Sequence, residues 1–212
     1  MPATVSEEVE MSVTSGLYLA IEGLDGSGKS TLAAGLTQEL GRVFKTSPLL
    51  VREPHLPETL LLFRRGLPPL AEFFLFNADR NVLFAQVVNP ALREGRAVVS
   101  DRSYLSSLAY QAPFLEMEER VAEALCLGAT GGRRPDFWFL LDLPAEEAWK
   151  RARSRPEGEE GFLRERLALA RDRYLHLAEA DKGRALVLDA LRPPRELLKE
   201  AVRHLEGILV FR

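Results

Sequence analysis

The segment Gly23–Thr31 has residue types and a spacing suited to holding a chain of phosphates. It reads Gly-Leu-Asp-Gly-Ser-Gly-Lys-Ser-Thr, matches the pattern G-x-x-x-x-G-K-[ST], and follows an apolar run typical of a strand. Glycines let backbone N–H groups and the start of the next helix face phosphate oxygens, while the lysine supplies a mobile cation and the next hydroxyl can bind Mg²⁺. The segment therefore predicts a Mg²⁺–nucleoside triphosphate site, with contacts from Gly23, Gly26, Ser27, Gly28, Lys29, Ser30 and Thr31.

A second polar segment begins at Asp101, where the apolar run Arg96–Ser100 ends. A carboxylate at the end of a strand beside the phosphate loop is where a Mg²⁺-organising group belongs, so Asp101 and Ser30 are the candidate metal ligands. Arg102 cannot bind a metal. Its planar guanidinium matches anionic oxygens, which makes it a candidate phosphate clamp and catalytic residue. The alternative for Asp101 and Arg102 is a surface ion pair at the end of a strand.

A third segment, Lys150–Arg155, is rich in cations and is followed by the Gly/Pro/Glu stretch Pro156–Gly161. Arg151 and Arg155 share a helical face, so these two can reach the same partner. The Gly/Pro/Glu stretch is a poor helix former, and a mobile lid is therefore predicted at about residues 151–162. The alternative is a solvated helix end whose cations complement the helix dipole.

Five short apolar runs provide the strands that must position these segments. Each run is continuous rather than alternating, as expected of strands covered on both faces, and helical patterns separate them. An α/β doubly wound parallel sheet follows, in which ligands bind at the carboxyl ends of the strands. The runs are Leu17–Glu22, Pro48–Arg52, Arg96–Asp101, Asp136–Asp142 and Arg184–Leu188.

The clearest helical pattern runs from about Glu72 to Glu94 and stops at Gly95, with Pro90 expected to kink it because proline has no N–H to donate. Phe76 and Arg80 are four residues apart and therefore share one face of this helix. The alternatives are a core position for Phe76 and a solvated helix face for Arg80. Two further helices are predicted, one beginning with Pro144 and one carrying an apolar face at Leu163, Leu167, Ala170, Tyr174 and Leu177.

The charge balance of the 212 residues, 28 basic and 31 acidic, limits the partners. Residues 1–16 hold Glu7, Glu8 and Glu10 and no cation, so the rest of the chain is neutral, and no nucleic-acid surface is expected. Residues 1–16 are predicted to be a disordered extension without a signal-peptide pattern, and residues 17–212 one domain. No apolar run approaches a membrane span. Cys126 stands alone, which fits a reducing cytoplasm.

Several segments together resemble thymidylate kinase, a member of the P-loop nucleoside monophosphate kinases. They are Asp25 in the phosphate loop, Arg52-Glu53-Pro54, Phe76 with Arg80, the Asp-Arg…Ala-Tyr-Gln run Asp101–Gln111, and Arg134–Asp136. The resemblance covers Leu17 to about Arg195. It implies a three-layer α/β/α kinase fold with a five-stranded parallel sheet of order 2-3-1-4-5, transfer of the ATP γ-phosphoryl group to the 5′-phosphate of dTMP, and a homodimer.

The resemblance also implies roles for individual residues. Arg52 and Arg102 would hold the acceptor phosphate, and Asp25 would approach the deoxyribose 3′-hydroxyl. Around the base, Phe76 would stack, Arg80 and Gln111 would form contacts, and Tyr110 would crowd the 2′ position. ATP would gain a contact from Arg192. Because the phosphate loop offers Ser27 rather than an arginine, a lid arginine, Arg151 or Arg155, would act in catalysis.

The chain departs from the family pattern at three places. His55 replaces the glycine usual after Arg-Glu-Pro, the stretch from Pro54 to Phe73 is short, and the lid lacks the usual Asp-Arg pair. Three other functions stay open from the residues alone. One is a deoxynucleoside kinase, with Glu53 as the base that its hydroxyl acceptor needs. The others are another nucleoside monophosphate kinase and, from a different class, a nucleotide-binding regulatory ATPase.

Overall fold

The computed structural model describes residues 16–43, 47–153 and 164–209. Residues 1–15 of the predicted extension, Arg155, and most of the predicted lid lie outside these ranges. Gly16, predicted as part of the extension, is buried and donates its N–H to the carbonyl oxygen of Leu92 at 3.2 Å.

Five parallel strands form one sheet of order β2-β3-β1-β4-β5 in the described part of the chain. This order is the one that the resemblance implies, and the ends of the predicted strands differ from the observed ones by at most one residue. The strands are β1 (Leu17–Gly23), β2 (Leu49–Arg52), β3 (Ala97–Asp101), β4 (Phe137–Asp142) and β5 (Ala185–Asp189).

Helices cover both faces of the sheet. Helix α1 contacts α9 and packs on β1, β2 and β3, whereas α5 and α8 contact each other and β1, with α8 also on β4 and β5. The continuous apolar runs follow from this cover, since every residue of β1 is buried. The helices are α1 (Lys29–Val43), α2 (Pro57–Phe63), α3 (Pro69–Leu83), α4 (Asn89–Arg93), α5 (Tyr104–Tyr110), α6 (Glu119–Ala129), α7 (Ala145–Arg153), α8 (Arg164–Ala180) and α9 (Pro194–Leu209).

The helical pattern predicted for Glu72–Glu94 is interrupted where Pro90 required it. Helix α3 passes into a π-helical turn, Phe84–Val88, before α4 begins, and the N–H of Asn89 donates to the carbonyl oxygen of Phe84. One extra residue in the turn accommodates the proline, which cannot donate. The helix starts at Pro69, earlier than predicted, and ends before Gly95, whose φ is 73°.

The register of the sheet brings two predicted site residues to one edge. Arg52 at the end of β2 and Ile21 near the end of β1 both pair with Asp101, the last residue of β3. The phosphate loop leaves the same edge, directly after β1. Within the described residues no helix is long and apolar enough to cross a membrane.

Candidate active site

The loop between β1 and α1 is shaped by glycines that no other residue could replace without strain. Gly26 and Gly28 have φ values of 86° and 97°, in the left-handed region. A Cβ on Gly23 would lie 2.5 Å from the carbonyl oxygen of Leu141 in β4, so the loop can leave the sheet only through a glycine. The hydroxyl of Ser27 is buried in the loop and has no hydrogen-bond partner among the described residues. The loop therefore has the close backbone approach that a phosphate cradle needs.

Lys29 begins α1 and lies against this loop. Its side chain is 6% exposed, and Nζ donates to the carbonyl oxygen of Leu24 at 2.8 Å and lies 3.7 Å from Oδ1 of Asp25. Burial lowers the pKa of Lys29 to about 8, and the nearby Arg102 acts in the same direction. The ammonium group is thus a poorly solvated cation, which a bound anion would stabilise.

Ser30 and Asp101 meet at the edge of the sheet, as the sequence predicts for metal ligands. The Ser30 hydroxyl donates to Oδ2 of Asp101 at 2.5 Å. The other carboxylate oxygen of Asp101 is buried and has no hydrogen-bond partner in the described part of the chain. An orphaned carboxylate oxygen next to a hydroxyl fits Mg²⁺, which takes few protein oxygens and keeps water and phosphate in its other positions. The described residues include no group of three or more acidic, His or Cys side chains that could hold a metal.

Arg102 has a φ of 80°, the one positive value among the described non-glycine residues. Its N–H donates to the carbonyl oxygen of Ile21 at 3.0 Å, and its carbonyl oxygen accepts from Ser100 Oγ at 2.6 Å. These bonds hold a backbone conformation that costs about 1–3 kcal/mol and direct the side chain over the phosphate loop.

The guanidinium group of Arg102 has three neighbours. It forms an ion pair with Asp25, lies 5.6 Å from the centre of the Tyr110 ring, and Nη1 lies 3.3 Å from Ser106 Oγ. Burial alone would lower the pKa of Arg102, but Asp25 and the tyrosines hold the pKa well above its ordinary value. The structure therefore brings Asp25, Tyr110 and Arg102 together beside the phosphate loop. Arg52 is 71% exposed and lies 3.9 Å from Asp101, at the same edge.

Arg80 is 1% exposed, so its alternative interpretation as a solvated helix residue is wrong. Nε and Nη2 contact Oε2 of Glu53 at 2.9 and 2.7 Å, and Nη1 donates to Asn77 Oδ1 at 2.9 Å. Nη2 also lies 3.1 Å from Ser107 Oγ. Only one hydrogen of Nη1 is left by these contacts. Phe76, on the same helix, is partly buried and its ring centre lies 5.4 Å from that of Phe63.

Gln111 follows α5 and is buried against α3. Its amide nitrogen donates to Oε1 of Glu72 at 2.8 Å, and burial raises the pKa of that carboxyl group. The same side chain keeps its amide oxygen as an acceptor. Tyr110, the preceding residue, is buried, and burial raises the pKa of its phenol above the ordinary value.

The predicted catalytic and ATP-binding arginines beyond β4 are only partly described. Nε of Arg151 donates to Glu147 at 2.9 Å, and Nη1 donates to the carbonyl oxygen of Ala190 at 3.3 Å. Arg192, just after β5, contacts Glu196 and Glu200. Both residues follow elements that end at the ligand-binding edge of the sheet, but each is engaged with carboxylates of its own surroundings.

Two buried carboxylates at the site were missed from the sequence. Glu22 is fully buried in β1 and is hydrogen-bonded to Ser103, Ser106 and Tyr174. Asp79 in α3 accepts from the N–H groups of His55 and Leu56, both at 2.7 Å. The available signals were the single acidic residue inside an apolar run, for Glu22, and the position next to the candidate Arg80, for Asp79.

The parallel sheet, the phosphate loop after β1 and the Asp101-Arg102 pair after β3 define a P-loop nucleoside monophosphate kinase. The family model for thymidylate kinase matches residues 21–201. The chain belongs to the thymidylate kinase family.

Individual relatives agree with this assignment. The thymidylate kinase of Cereibacter sphaeroides is 38% identical over 212 aligned positions, covering 92% of this chain and 96% of its own. That of Trichlorobacter lovleyi is 36% identical, covering 85% of this chain and 92% of its own. The crystal structure of thymidylate kinase from Ehrlichia chaffeensis is similar with a TM-score of 0.70 at 25% identity, covering 90% of this chain and 98% of that one.

Proposed function

We propose that this protein transfers the γ-phosphoryl group of ATP to the 5′-phosphate of dTMP, giving dTDP and ADP. The observation that carries the proposal is the meeting of Lys29, Ser30, Asp101 and Arg102 at one edge of the sheet, in a chain of the thymidylate kinase family. In the reaction, an oxygen of the acceptor phosphate bonds to the γ-phosphorus, and the bond from that phosphorus to the β–γ bridging oxygen breaks.

The acceptor oxygen is already anionic, so the reaction needs no general base. The barrier comes from bringing two polyanions together in line, which positioning and charge neutralisation must overcome. Lys29 neutralises the β- and γ-phosphates, and Arg102 and Arg52 bind the acceptor phosphate. Ser30 and Asp101 would hold Mg²⁺, which when bound supplies positive charge to the transferring group. Fixed cations in a partly dry site stabilise the developing charge without reorganisation.

The dTMP site extends from Arg102 towards α3. In our proposal Asp25 approaches the deoxyribose 3′-hydroxyl, and Tyr110 crowds the 2′ position against ribose. Phe76 stacks on thymine, while the remaining N–H of Arg80 and the amide of Gln111 contact its polar edge. Support comes from the fixed orientations of Arg80 and Gln111, which Glu53 and Glu72 hold before substrate arrives.

The ATP side of the site includes Arg192 and a cation from the region after β4. Arg151 is the described candidate for the catalytic cation, and Arg155 is the other. To act on the phosphates Arg151 must exchange its bond with Glu147 for one with substrate, and such an exchange accompanies the lid closure we propose.

A deoxynucleoside kinase is the nearest alternative, and the position of Glu53 speaks against it. A hydroxyl acceptor needs a base that faces it, but Glu53 is 4% exposed and its carboxylate forms an ion pair with buried Arg80. Oε2 of this carboxylate is held by Arg80, and Oε1 has no hydrogen-bond partner among the described residues but is buried, so neither oxygen is open to an acceptor hydroxyl in this structure.

The test is ADP formation from Mg·ATP with a panel of acceptors: dTMP, dUMP, dCMP, UMP and thymidine. We expect the highest kcat/KM with dTMP and no turnover with thymidine. Lys29→Met, which removes the phosphate cation, is the matched control for contaminating kinase. Turnover confined to thymidine would contradict the proposal, and acceptor-independent ATP hydrolysis alone would indicate a regulatory ATPase.

We further propose a cytoplasmic homodimer. Helices α3 and α6 contact each other and expose apolar side chains, Leu70 and Phe74 on one and Val121 and Leu125 on the other, each 40–49% exposed. Exposed apolar side chains on two adjacent helices are typical of association sites. The single Cys126 is buried, with a pKa raised to about 11 by burial, and suits a reducing compartment.

A further inference from the structure

The Glu22 carboxylate is fully buried one residue before the phosphate loop. Oε1 accepts from the N–H and the hydroxyl of Ser103, both at 2.7 Å. Oε2 lies 2.7 Å from Ser106 Oγ and 2.8 Å from the Tyr174 hydroxyl oxygen. No described cation lies within ion-pair distance of this carboxylate. A buried charge without an ion-pair partner is costly, so the protonation state of Glu22 needs a physical explanation.

Three oxygens at this position form a closed triangle. Oε2 of Glu22 contacts both hydroxyls, and Ser106 Oγ lies 2.9 Å from the Tyr174 hydroxyl. Each of the three short contacts requires one proton, and the two hydroxyls supply one each. An ionised carboxylate therefore leaves one contact between two oxygens without a proton. A protonated carboxyl group supplies the third proton and satisfies all three contacts.

We infer that Glu22 is held as a neutral carboxylic acid and is a positioning residue for Arg102. The inference rests on the proposed function in one respect, namely that Arg102 binds the acceptor phosphate. The hydrogen bonds of Glu22 are to Ser103, Ser106 and Tyr174, none of which the proposed function places on substrate.

On balance, the surroundings of Glu22 raise its pKa above the ordinary value. Burial raises the pKa of Glu22, while the hydrogen bonds of Ser106, Ser103 and Tyr174 and the charge of Arg102 oppose this. The other ionisable groups that face it are Lys29 from α1 and Tyr18 from β1 itself. Lys29 and Arg102 both lie within ion-pair distance of Asp25, which weakens their electrostatic attraction for an ionised Glu22.

Two contacts carry the effect of Glu22 to Arg102. The N–H bonded to Oε1 belongs to Ser103, the residue directly after Arg102, and so fixes the strained turn at a φ of 80°. In the closed triangle, the Ser106 proton points at another oxygen of the triangle. A lone pair of Ser106 Oγ is thus left to face Arg102 Nη1, at a distance of 3.3 Å. Without Glu22 both the backbone and the guanidinium of Arg102 lose a fixed neighbour.

The experiment compares wild type, Glu22→Gln and Glu22→Ala in dTMP phosphorylation, with exposed Glu116→Gln as the matched control. The glutamine amide mimics the neutral acid, because its oxygen can accept from Ser103 and its N–H can donate within the triangle. We therefore expect a kcat within about tenfold of wild type. Alanine should lower kcat about 100-fold, because misplacing a positioned group by about 1 Å has that cost. The KM for ATP should change little, since the phosphate loop is intact.

A second readout does not depend on activity or on the folding of Glu22→Ala. The infrared spectrum of wild type near neutral pH should contain the C=O band of a protonated carboxylic acid that Glu22→Gln lacks. Tyr174→Phe, which removes one of the three oxygens of the triangle, should lower kcat and leave the KM for ATP unchanged.

The outcomes separate this inference from the proposed function. Absence of the carboxylic band, or a loss in Glu22→Gln as large as in Glu22→Ala, would overturn the neutral acid. Full kcat in Glu22→Ala would overturn the positioning role. If wild type fails to phosphorylate dTMP, the proposed function fails, while the infrared band still decides the state of Glu22.

Discussion

Arg102 has a left-handed backbone conformation that an arginine adopts only at an energetic cost. Its side chain nevertheless forms an ion pair with Asp25 and lies over Tyr110, beside the phosphate loop. Strain that is maintained at a charged, partly buried position is typical of a functional site. The backbone therefore holds the guanidinium at the place where the acceptor phosphate is expected.

Arg102→Ala should lower kcat for dTMP phosphorylation about 1000-fold, because it removes a fixed cation that binds the acceptor phosphate. The KM for ATP should stay near the wild-type value, since Lys29 and the glycines of the loop remain. Steady-state kinetics with varied ATP and dTMP measure both constants. The control is Arg120→Ala, whose side chain is 82% exposed on α6. An unchanged kcat would remove Arg102 from the catalytic residues.

Glu53 and Arg80 form an ion pair in which the side chains are 5% and 2% exposed. Removing one partner of a buried pair leaves the other charge unpaired, so Glu53→Gln and Arg80→Met should each lower the free energy of unfolding by about 3 kcal/mol. The double variant should lose less than the sum of the two, by about 1 kcal/mol or more. Urea unfolding measures all three values. Additive losses would mean that the charges are not coupled.

At the scale of elements, helix α3 holds the segment between β2 and α2. The carboxylate of Asp79, 2% exposed, accepts from the backbone of His55 and Leu56 and from the hydroxyl of Thr59 at 2.8 Å. His55 stands where the family pattern has glycine, and its φ is not positive, so the substitution needs no strained backbone. Asp79 therefore fixes the segment that follows Arg52 and includes Glu53.

Asp79→Asn should loosen this segment, because an amide nitrogen cannot accept from a backbone N–H. We expect the KM for dTMP to rise about tenfold and the free energy of unfolding to fall by about 2 kcal/mol, the size of a lost bond to a charged group. The KM for ATP should not change. Exposed Asp172→Asn on α8 is the matched control, and equal shifts in the KM values for dTMP and ATP would refute a local effect.

Elements with their own sequence pattern were predictable, and those defined by tertiary contacts were not. The five strands were found from their continuous apolar runs. The expected cover on both faces holds for the central strands β1, β3 and β4 but is wrong for the edge strands β2 and β5, where Leu50 and Val187 are each 44% exposed. Helix α5, Tyr104–Tyr110, is almost wholly buried and so lacks an amphipathic pattern. Helix α2, Pro57–Phe63, has no capping side chain of its own and relies on Asp79 from α3. Each has a local start signal, Pro57 in α2 and the capping Ser103 before α5, but its seven residues are too few to show a periodic pattern.

The same distinction holds for the site. The phosphate loop and the Asp101-Arg102 pair are local motifs at strand ends, and the topology of a doubly wound sheet brings them together. Glu22 was included in an apolar run because its partners are distant in sequence: Ser103 lies 81 residues away and Tyr174 lies 152 residues away. No local sequence pattern predicts such distant partners, so their role can be recognised only in the folded structure.

At the scale of the whole molecule, the neutral charge of residues 17–212 has a structural counterpart. Many of its cations are paired within the fold, among them Arg80 with Glu53, Arg102 with Asp25, and Arg171 with Asp142. Paired cations contribute little to a long-range electrostatic field. In the proposed function, the cations at the carboxyl edge of the sheet therefore act through their position rather than through a net positive charge. The expectation that the chain has no nucleic-acid surface remains a prediction.

The proposed dimer can be tested at α3. Phe74 is 49% exposed, four residues from Leu70, and both lie on the helix that contacts α6. A two-fold interface buries the same patch on both subunits, so Phe74→Lys would place two uncompensated charges in it, at a cost of several kcal/mol. In sedimentation velocity we expect wild type at twice the chain mass and Phe74→Lys at the chain mass. The control is Leu169→Lys, at an exposed position on α8, which should stay dimeric. A Phe74→Lys dimer of unchanged stability would exclude the α3 face as the interface, because the new charge would then lie in solvent.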